Sequence, residues 1–269
     1  MPELPEVETT LRGLEPHLLG RRISQIQIRQ PRLRWPVPTE ILSLQGSTIQ
    51  SLQRRAKYLL MYTDQGNMIW HLGMSGSMRI LPSTEPSTRH EHIKITLDNG
   101  ASLRYIDPRR FGALLFSDDD PLQHKLIHSL GPEPLSDDFN SDYLIESCKQ
   151  RSSAIKNVIM DGHTVVGIGN IYACESLFLS AINPKTKACR ISARRLQALV
   201  QAIKTILQQA IQQGGTTLQD FAQTDGRPGY FSQSLNVYGN KADCPVCARP
   251  VTRITQGQRS TFYCKNCQK

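Results

Sequence analysis

The N-terminus carries a group that can act as a nucleophile. Met1 precedes Pro2, a small residue after which the initiator methionine is normally removed, so we expect the working chain to begin with the secondary amine of a proline. An α-amino group has a pKa of about 8, whereas a lysine side chain has a pKa of about 10.4. At physiological pH a far larger fraction of the terminal amine than of a lysine is therefore neutral and able to attack an aldehyde carbon. Glu3 and Glu6 could protonate a sugar oxygen or hold the amine in place. The same stretch, with Pro5 in a first turn, also fits an ordinary helix start.

A second chemical signal lies near the C-terminus, where four of the seven cysteines form two CxxC pairs. The pairs are Cys244 with Cys247 and Cys264 with Cys267, and sixteen residues lie between the two pairs. Two CxxC pairs at this distance can form a tetrahedral thiolate site. Four thiolates suit zinc or iron, and a short basic ribbon in a reducing cytosol favours one structural Zn²⁺. Residues 240–269 hold six Lys or Arg against one acidic residue, so we expect this ribbon to contact phosphates. The alternative is a ribbon that only stabilises the fold and whose basic surface faces solvent.

The elements that must position these groups change character along the chain. Apolar residues alternate between turn signals such as DQGN and DNG from about residue 21 to 116, which predicts an antiparallel sandwich or barrel. A Pro-rich segment at 130–139 follows, and we place a domain boundary there. Beyond it the periodicity is helical in YLIESCKQ, SAIKNVIM, YACESLFLSAI and RRLQALVQAIKTILQQAIQQ. The fold class is therefore α+β, with a two-stranded ribbon around Gly257 that holds the metal at one end.

Residues 214–231, between the helices and the ribbon, are rich in Gly, Thr, Asp and Pro and lack clear periodicity. Loops of that length are usually functional or disordered. We therefore expect this segment to serve the site rather than the core.

Length and charge bound the class of protein. A chain of 269 residues can form two domains that each bury a core. Lys and Arg outnumber Asp and Glu by 32 to 23, and the net charge of +9 suits a polyanionic partner, although a solvated basic surface would give the same count. The acidic N-terminus does not read as a secretion signal, and no run of eighteen apolar residues occurs, so we expect a cytoplasmic protein that does not bind membranes.

Six motifs carry a resemblance that covers the chain from Pro2 to Lys269. They are PELPEVET at the N-terminus, RRAKYLL at 54–60, HLGMSGS at 71–77, DPRRFG at 107–112, GIGNIYACE at 167–175 and the two CxxC pairs. Their order and spacing are similar to those of the formamidopyrimidine-DNA glycosylase (Fpg/MutM) family of the bacterial zinc-finger type. The resemblance implies a catalytic β-sandwich domain at 2–130, a helical helix-two-turn-helix domain at 131–232 whose loop closes over the damaged base, and a zinc finger at 235–269.

The same resemblance assigns catalytic roles to four positions. Pro2 would form a Schiff base with the sugar, and Glu3 would donate a proton when the base leaves. Lys57 matches a lysine that donates a proton in β-elimination; taken alone, it indicates only a basic strand end. Arg259 matches a zinc-ribbon arginine that grips the phosphates beside the extruded nucleotide and is associated with δ-elimination.

Seven further positions are implied as DNA contacts. Met74, Arg109 and Phe111 would fill the hole left by the flipped base, although Met74 and Phe111 by themselves are more typical of a core. Asn170 follows a glycine-rich turn at a helix start, where backbone amides can hold a phosphate. The others are His71, His90 and Arg151; the KQRS stretch around Arg151 departs from the lysine-rich sequence expected of some relatives.

The implied activity is excision of oxidised purines, followed by β,δ-elimination at the resulting abasic site in double-stranded DNA. We expect a monomer that acts at the bacterial nucleoid and uses no cofactor besides zinc. Two alternatives stay open. An endonuclease VIII-type enzyme shares the N-terminal proline and the zinc ribbon but prefers oxidised pyrimidines, whereas a non-catalytic zinc-ribbon protein would bind DNA without chemistry.

Overall fold

The computed structural model describes residues 2–216, 231–239 and 243–269. Contacts within it divide the chain into two compact units, one formed by the residues up to 128 with 213–232, and one formed by 129–212 with 233–269. The α+β class is confirmed, with strands concentrated in the first unit and helices in the second. The three-part division by residue number stays a prediction.

The first unit begins with helix α1, Leu4–Leu18, which buries an apolar stripe spaced three and four residues apart. Two antiparallel sheets follow. One has the strand order β1-β6-β7-β5 and the other β2-β3-β4-β8. The strands are β1 Ile23–Ile28, β2 Ile49–Arg55, β3 Tyr58–Thr63, β4 Gly66–His71, β5 Ser77–Pro82, β6 Glu91–Leu97, β7 Ala101–Ile106 and β8 Ala113–Ser117.

Alternation along the strands explains why the sheets form a sandwich. Leu59 and Met61 on β3 belong to the main core together with Ile95 from the other sheet. Leu60, which points to the opposite face of β3, packs in a smaller cluster with Ile127. Both faces of this sheet are therefore covered, and the predicted β-sandwich is confirmed.

The second unit contains helices α2 Ser141–Cys148, α3 Ile155–Met160, α4 Asn170–Leu179 and α5 Ala193–Gln212. Helix α4 is buried along most of its length and is packed by α5 and α3. Strands β9 Thr252–Gln256 and β10 Arg259–Tyr263 form the predicted hairpin around Gly257. Across residues 2–216, 231–239 and 243–269, no helix combines the length and hydropathy that a membrane crossing needs.

Candidate functional site

The first residues of the chain form a buried and hydrogen-bonded helix start. Glu3 is the N-cap of α1, and a capping box joins it to Glu6, whose Oε2 accepts from the Glu3 amide at 2.8 Å. Pro2 and both glutamates are buried. The same residues therefore form an ordinary helix start and remain the candidates for the nucleophile and its proton donor.

Glu6 also holds the base of the predicted loop 214–231. Its Oε1 accepts from the Thr216 amide at 2.8 Å. Gly215 has a φ of +82°, and a side chain there would lie 3.2 Å from the Glu6 carboxylate. At the other end of the loop the Phe231 amide donates to the Gly215 carbonyl at 3.1 Å. The loop itself, 217–230, lies outside the described residues.

Strand pairing brings Lys57 and His71 together. Lys57 lies in the turn between β2 and β3, and Tyr58 pairs with His71 on β4. Burial, reinforced by the charges of Lys57 and Arg34, lowers the pKa of His71 to about 4. His71 Nδ1 accepts from the Gly73 amide at 3.0 Å, so the neutral ring carries its proton on Nε2. His71 is thus a neutral donor throughout the physiological pH range.

Two glycines bring the segments 71–77 and 107–112 into backbone contact. A Cβ on Gly73 would lie 2.4 Å from the backbone of Phe111 and Gly112. A Cβ on Gly112 would lie 1.7 Å from the Tyr105 hydroxyl. No larger residue fits at either position without displacing the neighbouring segment.

Asp107, a residue that the sequence analysis did not single out, locks the same two segments. Its fully buried carboxylate accepts from Ser75 Oγ at 2.6 Å, from the Gly112 amide at 2.8 Å and from the Tyr105 hydroxyl at 3.1 Å. Burial, together with the Asp107 charge, raises the pKa of Tyr105, which keeps its hydroxyl a donor. The network fixes the backbone on which Arg109 and Phe111 stand.

The side chains on these segments are exposed. Met74 is 38% and Phe111 45% exposed, and the Arg109 guanidinium lies 5.0 Å from the centre of the Phe111 ring. A cavity of about 570 Å³ opens beside them; its lining includes Arg32, Arg34, His71, Met74, Arg110 and Phe111. Exposed apolar groups among arginines are suited to a ligand with both aromatic surface and negative charge.

In the second unit the predicted residue Asn170 opens α4, and its side chain is already engaged. Its Oδ1 accepts from Lys156 Nζ at 2.6 Å, and its Nδ2 donates to the Ser260 carbonyl at 2.8 Å. Lys156 is 1% exposed and also donates to Thr261 Oγ1 at 2.6 Å. This buried lysine was missed because, in the apolar run SAIKNVIM, it has the signature of an ordinary helix.

Two other predicted residues of this unit have different surroundings. The Arg151 guanidinium donates to Asp161 at 3.2 Å, and both side chains are partly exposed. Arg259 is exposed at the start of β10, next to Ser260. The roles predicted for both side chains stay predictions.

Glu175, in the motif that contains Asn170, was also missed. Its fully buried carboxylate accepts from the amides of Asn236, Val237 and Tyr238 at 2.8–2.9 Å. Tyr238 in turn packs against Phe262 of the ribbon with ring centres 5.0 Å apart. The chain entering the ribbon is therefore anchored on α4.

The four cysteines meet as predicted. The Sγ atoms of Cys244, Cys247, Cys264 and Cys267 all lie within 4.8 Å of one another, with two of the separations at 3.5 and 3.8 Å. A tetrahedron with Zn–S bonds of about 2.3 Å requires S–S separations of about 3.8 Å. The donor set therefore fits one structural zinc ion.

Comparison with known sequences accounts for almost the whole chain. The formamidopyrimidine-DNA glycosylase N-terminal domain matches residues 1–114, and the H2TH domain of the same enzyme matches 130–222. The zinc finger found in FPG and IleRS matches 244–269. The chain is 52% identical to the formamidopyrimidine-DNA glycosylases of Photobacterium profundum and Escherichia coli, with 100% of each chain covered.

Solved structures agree with these matches. The Thermus thermophilus MutM (FPG) protein superposes with a TM-score of 0.89 at 36% identity, covering 99% of this chain and 98% of that one. A Lactococcus lactis FPG mutant in complex with Fapy-dG-containing DNA gives a TM-score of 0.92 at 33% identity over 100% of both chains. The L. lactis enzyme with abasic-site DNA also gives 0.92 at 33% identity over 99% of both chains.

Proposed function

The chain belongs to the formamidopyrimidine-DNA glycosylase family, and we propose that Pro2 carries the chemistry of its reaction. It is a DNA glycosylase of base excision repair with an abasic-site lyase activity. The observation that supports the assignment to Pro2 is its position, buried and directly before the N-cap Glu3, in the unit that also presents Met74 and Phe111. Once Met1 is removed, Pro2 supplies a secondary amine of low basicity.

In the proposed first step the Pro2 nitrogen attacks C1′ of the damaged nucleotide. The bond between C1′ and the base breaks, and the base leaves with a proton from Glu3. The Pro2 nitrogen then loses its proton and the C1′–O4′ bond opens with a proton added to O4′, which gives a charged iminium. The Glu3 carboxylate accepts a hydrogen bond from the Glu6 backbone amide, so the capping box at the start of α1 holds this carboxyl group beside Pro2.

Strand cleavage follows from the iminium. It acidifies the C2′ hydrogen, which leaves as a proton to water while the C3′–O bond breaks and the 3′ phosphate departs in β-elimination; we assign Lys57 as the proton donor to the departing phosphate. A second elimination expels the 5′ phosphate, and Arg259 grips the phosphates there. The exposed position of Arg259 at the start of β10 supports this assignment.

The substrate we propose is double-stranded DNA with an oxidised purine or an abasic site, since the L. lactis relatives were crystallised with Fapy-dG-containing and abasic-site DNA. Met74, Arg109 and Phe111 would replace the extruded base in the stack. His71, His90, Arg151 and Asn170 would hold the phosphates. Chromosomal DNA as substrate places the enzyme at the nucleoid of the bacterial cytoplasm, where we expect it to act as a monomer with one structural zinc.

Borohydride trapping tests this mechanism. Purified protein is incubated with a duplex carrying 8-oxoguanine opposite cytosine, alongside Pro2→Gly and a form that retains Met1. We expect a covalent adduct with the processed wild type, and none with the form in which the terminal amine belongs to Met1. Pro2→Gly should trap at a much lower rate, because it replaces the secondary amine with a primary one. No adduct from the processed wild type would leave a DNA-binding protein without this chemistry.

A parallel duplex with an oxidised pyrimidine tests the endonuclease VIII-type alternative. Binding cannot distinguish the two, because a wild-type L. lactis Fpg (MutM) was crystallised with DNA containing an oxidised pyrimidine. Single-turnover excision rates can. We expect faster excision of 8-oxoguanine, and the reverse order would favour the pyrimidine enzyme.

A further inference from the structure

The first unit contains a buried ion pair that none of the proposed catalytic steps uses. Arg104 on β7 and Glu91 at the start of β6 are 0% and 1% exposed, and Arg104 Nη1 donates to both carboxylate oxygens at 3.0 Å. A β-bulge between Glu91 and Ile93 interrupts the alternation of β6. It lets Glu91 reach the face of the sheet that carries Arg104.

Arg104 also bonds the end of β5, its own strand β7 and the connection between β5 and β6, residues 83–90. Its Nη2 donates to the carbonyls of Pro82 and Glu85, each at 3.0 Å, and its Nε donates to Ser102 Oγ at 2.6 Å. Ser87 Oγ donates to Glu91 at 2.9 Å. All five guanidinium donors are satisfied; one holds the backbone of this connection at Glu85, and another holds Pro82, the residue from which the connection starts.

The far end of the connection reaches the segment 107–112. The Asp107 amide donates to the His90 carbonyl at 3.0 Å, and His92 Nε2 lies 2.7 Å from the Asp107 carbonyl. Arg89 is exposed, and its guanidinium has no partner within the described part of the chain. The connection therefore presents a cation and His90 beside the segment that carries Arg109.

We propose that Arg104 and Glu91 are positioning residues, which hold the 83–90 connection so that Arg89 and His90 bind the DNA backbone next to the lesion. This inference rests on the proposed function. A buried ion pair can often be replaced by apolar residues without loss of stability. This ion pair does more than an apolar pair could, because Arg104 also binds two backbone carbonyls and the Ser102 hydroxyl.

The test is the double variant Arg104→Met/Glu91→Leu, which removes no exposed charge and leaves the net charge unchanged. We expect KM for the lesion duplex to rise about tenfold with kcat changed less than about twofold, because binding is lost rather than chemistry. The slope of log K for DNA binding against log salt should shrink by about 1, as if a phosphate contact were lost. Arg89→Gln should shrink it similarly, and adding Arg89→Gln to the double variant should change little more.

Ile95→Ala is the matched control, since it weakens the same strand from the core side without touching the connection. It should lower Tm but leave the salt slope unchanged. If the double variant does not fold, Arg104→Lys serves instead, because three ammonium donors cannot replace the five bonds that Arg104 makes to the Glu91 carboxylate, the two carbonyls and the Ser102 hydroxyl.

An unchanged KM and salt slope in the folded double variant would overturn the proposal, and so would an unchanged slope in Arg89→Gln. Either result would leave Pro2-dependent trapping intact. Failure of the proposed function would instead remove that trapping from the wild type.

Discussion

The two units hold their predicted DNA-facing groups in opposite ways. In the first unit Met74 and Phe111 are exposed. The backbone that carries them is fixed by the close approach at Gly73 and Gly112 and by hydrogen bonds to the buried Asp107. In the second unit the side chain of Asn170 is itself part of a buried network with Lys156, Thr261 and Ser260.

This difference separates function from stability in one unit and couples them in the other. A side chain that stands on a locked backbone can be removed without disturbing its support. A side chain whose polar atoms satisfy buried partners cannot be removed without leaving those partners unsatisfied. We therefore expect substitutions in the first unit to affect activity before stability, and substitutions in the second to affect both together.

The largest effect should come from removing zinc. A structural zinc site contributes on the order of 10 kcal/mol to the folding of the segment it organises. Because Thr261 and Ser260 of the ribbon hold Lys156 and Asn170, loss of zinc should also release the Asn170 side chain. We expect chelation to weaken DNA binding by more than about tenfold, measured by fluorescence anisotropy while an indicator dye reports the released metal.

Cys264→Ser should reproduce this loss without chelator, while Cys189→Ser, at an exposed cysteine outside the cluster, should not. DNA affinity that survives complete zinc release would mean that the ribbon does not support the Asn170 network.

Next in size is Lys156→Met. It leaves Asn170 Oδ1 and Thr261 Oγ1 without their common donor, which should cost about 1–3 kcal/mol of unfolding free energy and reduce DNA affinity in parallel. Urea denaturation and anisotropy on the same samples measure both quantities. Lys204→Met is the matched control, because it removes a lysine of the same unit whose Nζ, among the residues that the structure describes, holds only the Ser136 carbonyl. Lower stability with unchanged affinity would break the coupling inferred for this unit.

Much of both units could be predicted from short-range signals. The cysteine spacing predicted the metal site because ligand geometry alone constrains it. The motifs HLGMSGS and DPRRFG were recognised in the sequence, but the backbone contact made at Gly73 and Gly112 is visible only in the structure. Period-two alternation predicted an antiparallel sandwich or barrel, and the resemblance selected the sandwich, whose inner faces are apolar.

What could not be predicted is the buried polar chemistry. Asp107, Lys156 and Glu175 each bind partners that are distant in sequence, such as Thr261 for Lys156. A charged residue in isolation is more typical of a solvated surface, so only the fold reveals that these are buried and satisfied. The capping box at Glu3 was anticipated as a helix start, but the bond from Thr216 to Glu6 was not.

His71 gives a smaller, pH-dependent effect in the first unit. Its folded pKa of about 4 lies below the unfolded value of 6.5, so between these values the unfolded chain binds more protons and stability is lost as pH falls. From pH 7.5 to pH 5 this should cost about 1–2 kcal/mol. Urea denaturation of the wild type and of His71→Asn at both pH values measures it, because the difference between the two proteins cancels other titrating groups. Equal losses in both would show that His71 is not held neutral.

The smallest effect on stability should come from Phe111→Ala, and it tests the comparison most directly. The ring is 45% exposed and its backbone is fixed by Asp107 and Gly73, so truncation should change the unfolding free energy by less than about 0.5 kcal/mol. Base flipping costs a few kcal/mol, part of which an inserted ring repays, so kcat/KM on 8-oxoguanine should fall about tenfold. Leu42→Ala, which truncates a side chain of 41% exposure in the same unit, should leave both quantities unchanged. If Phe111→Ala instead lost stability in proportion to activity, the first unit would couple the two as tightly as the second.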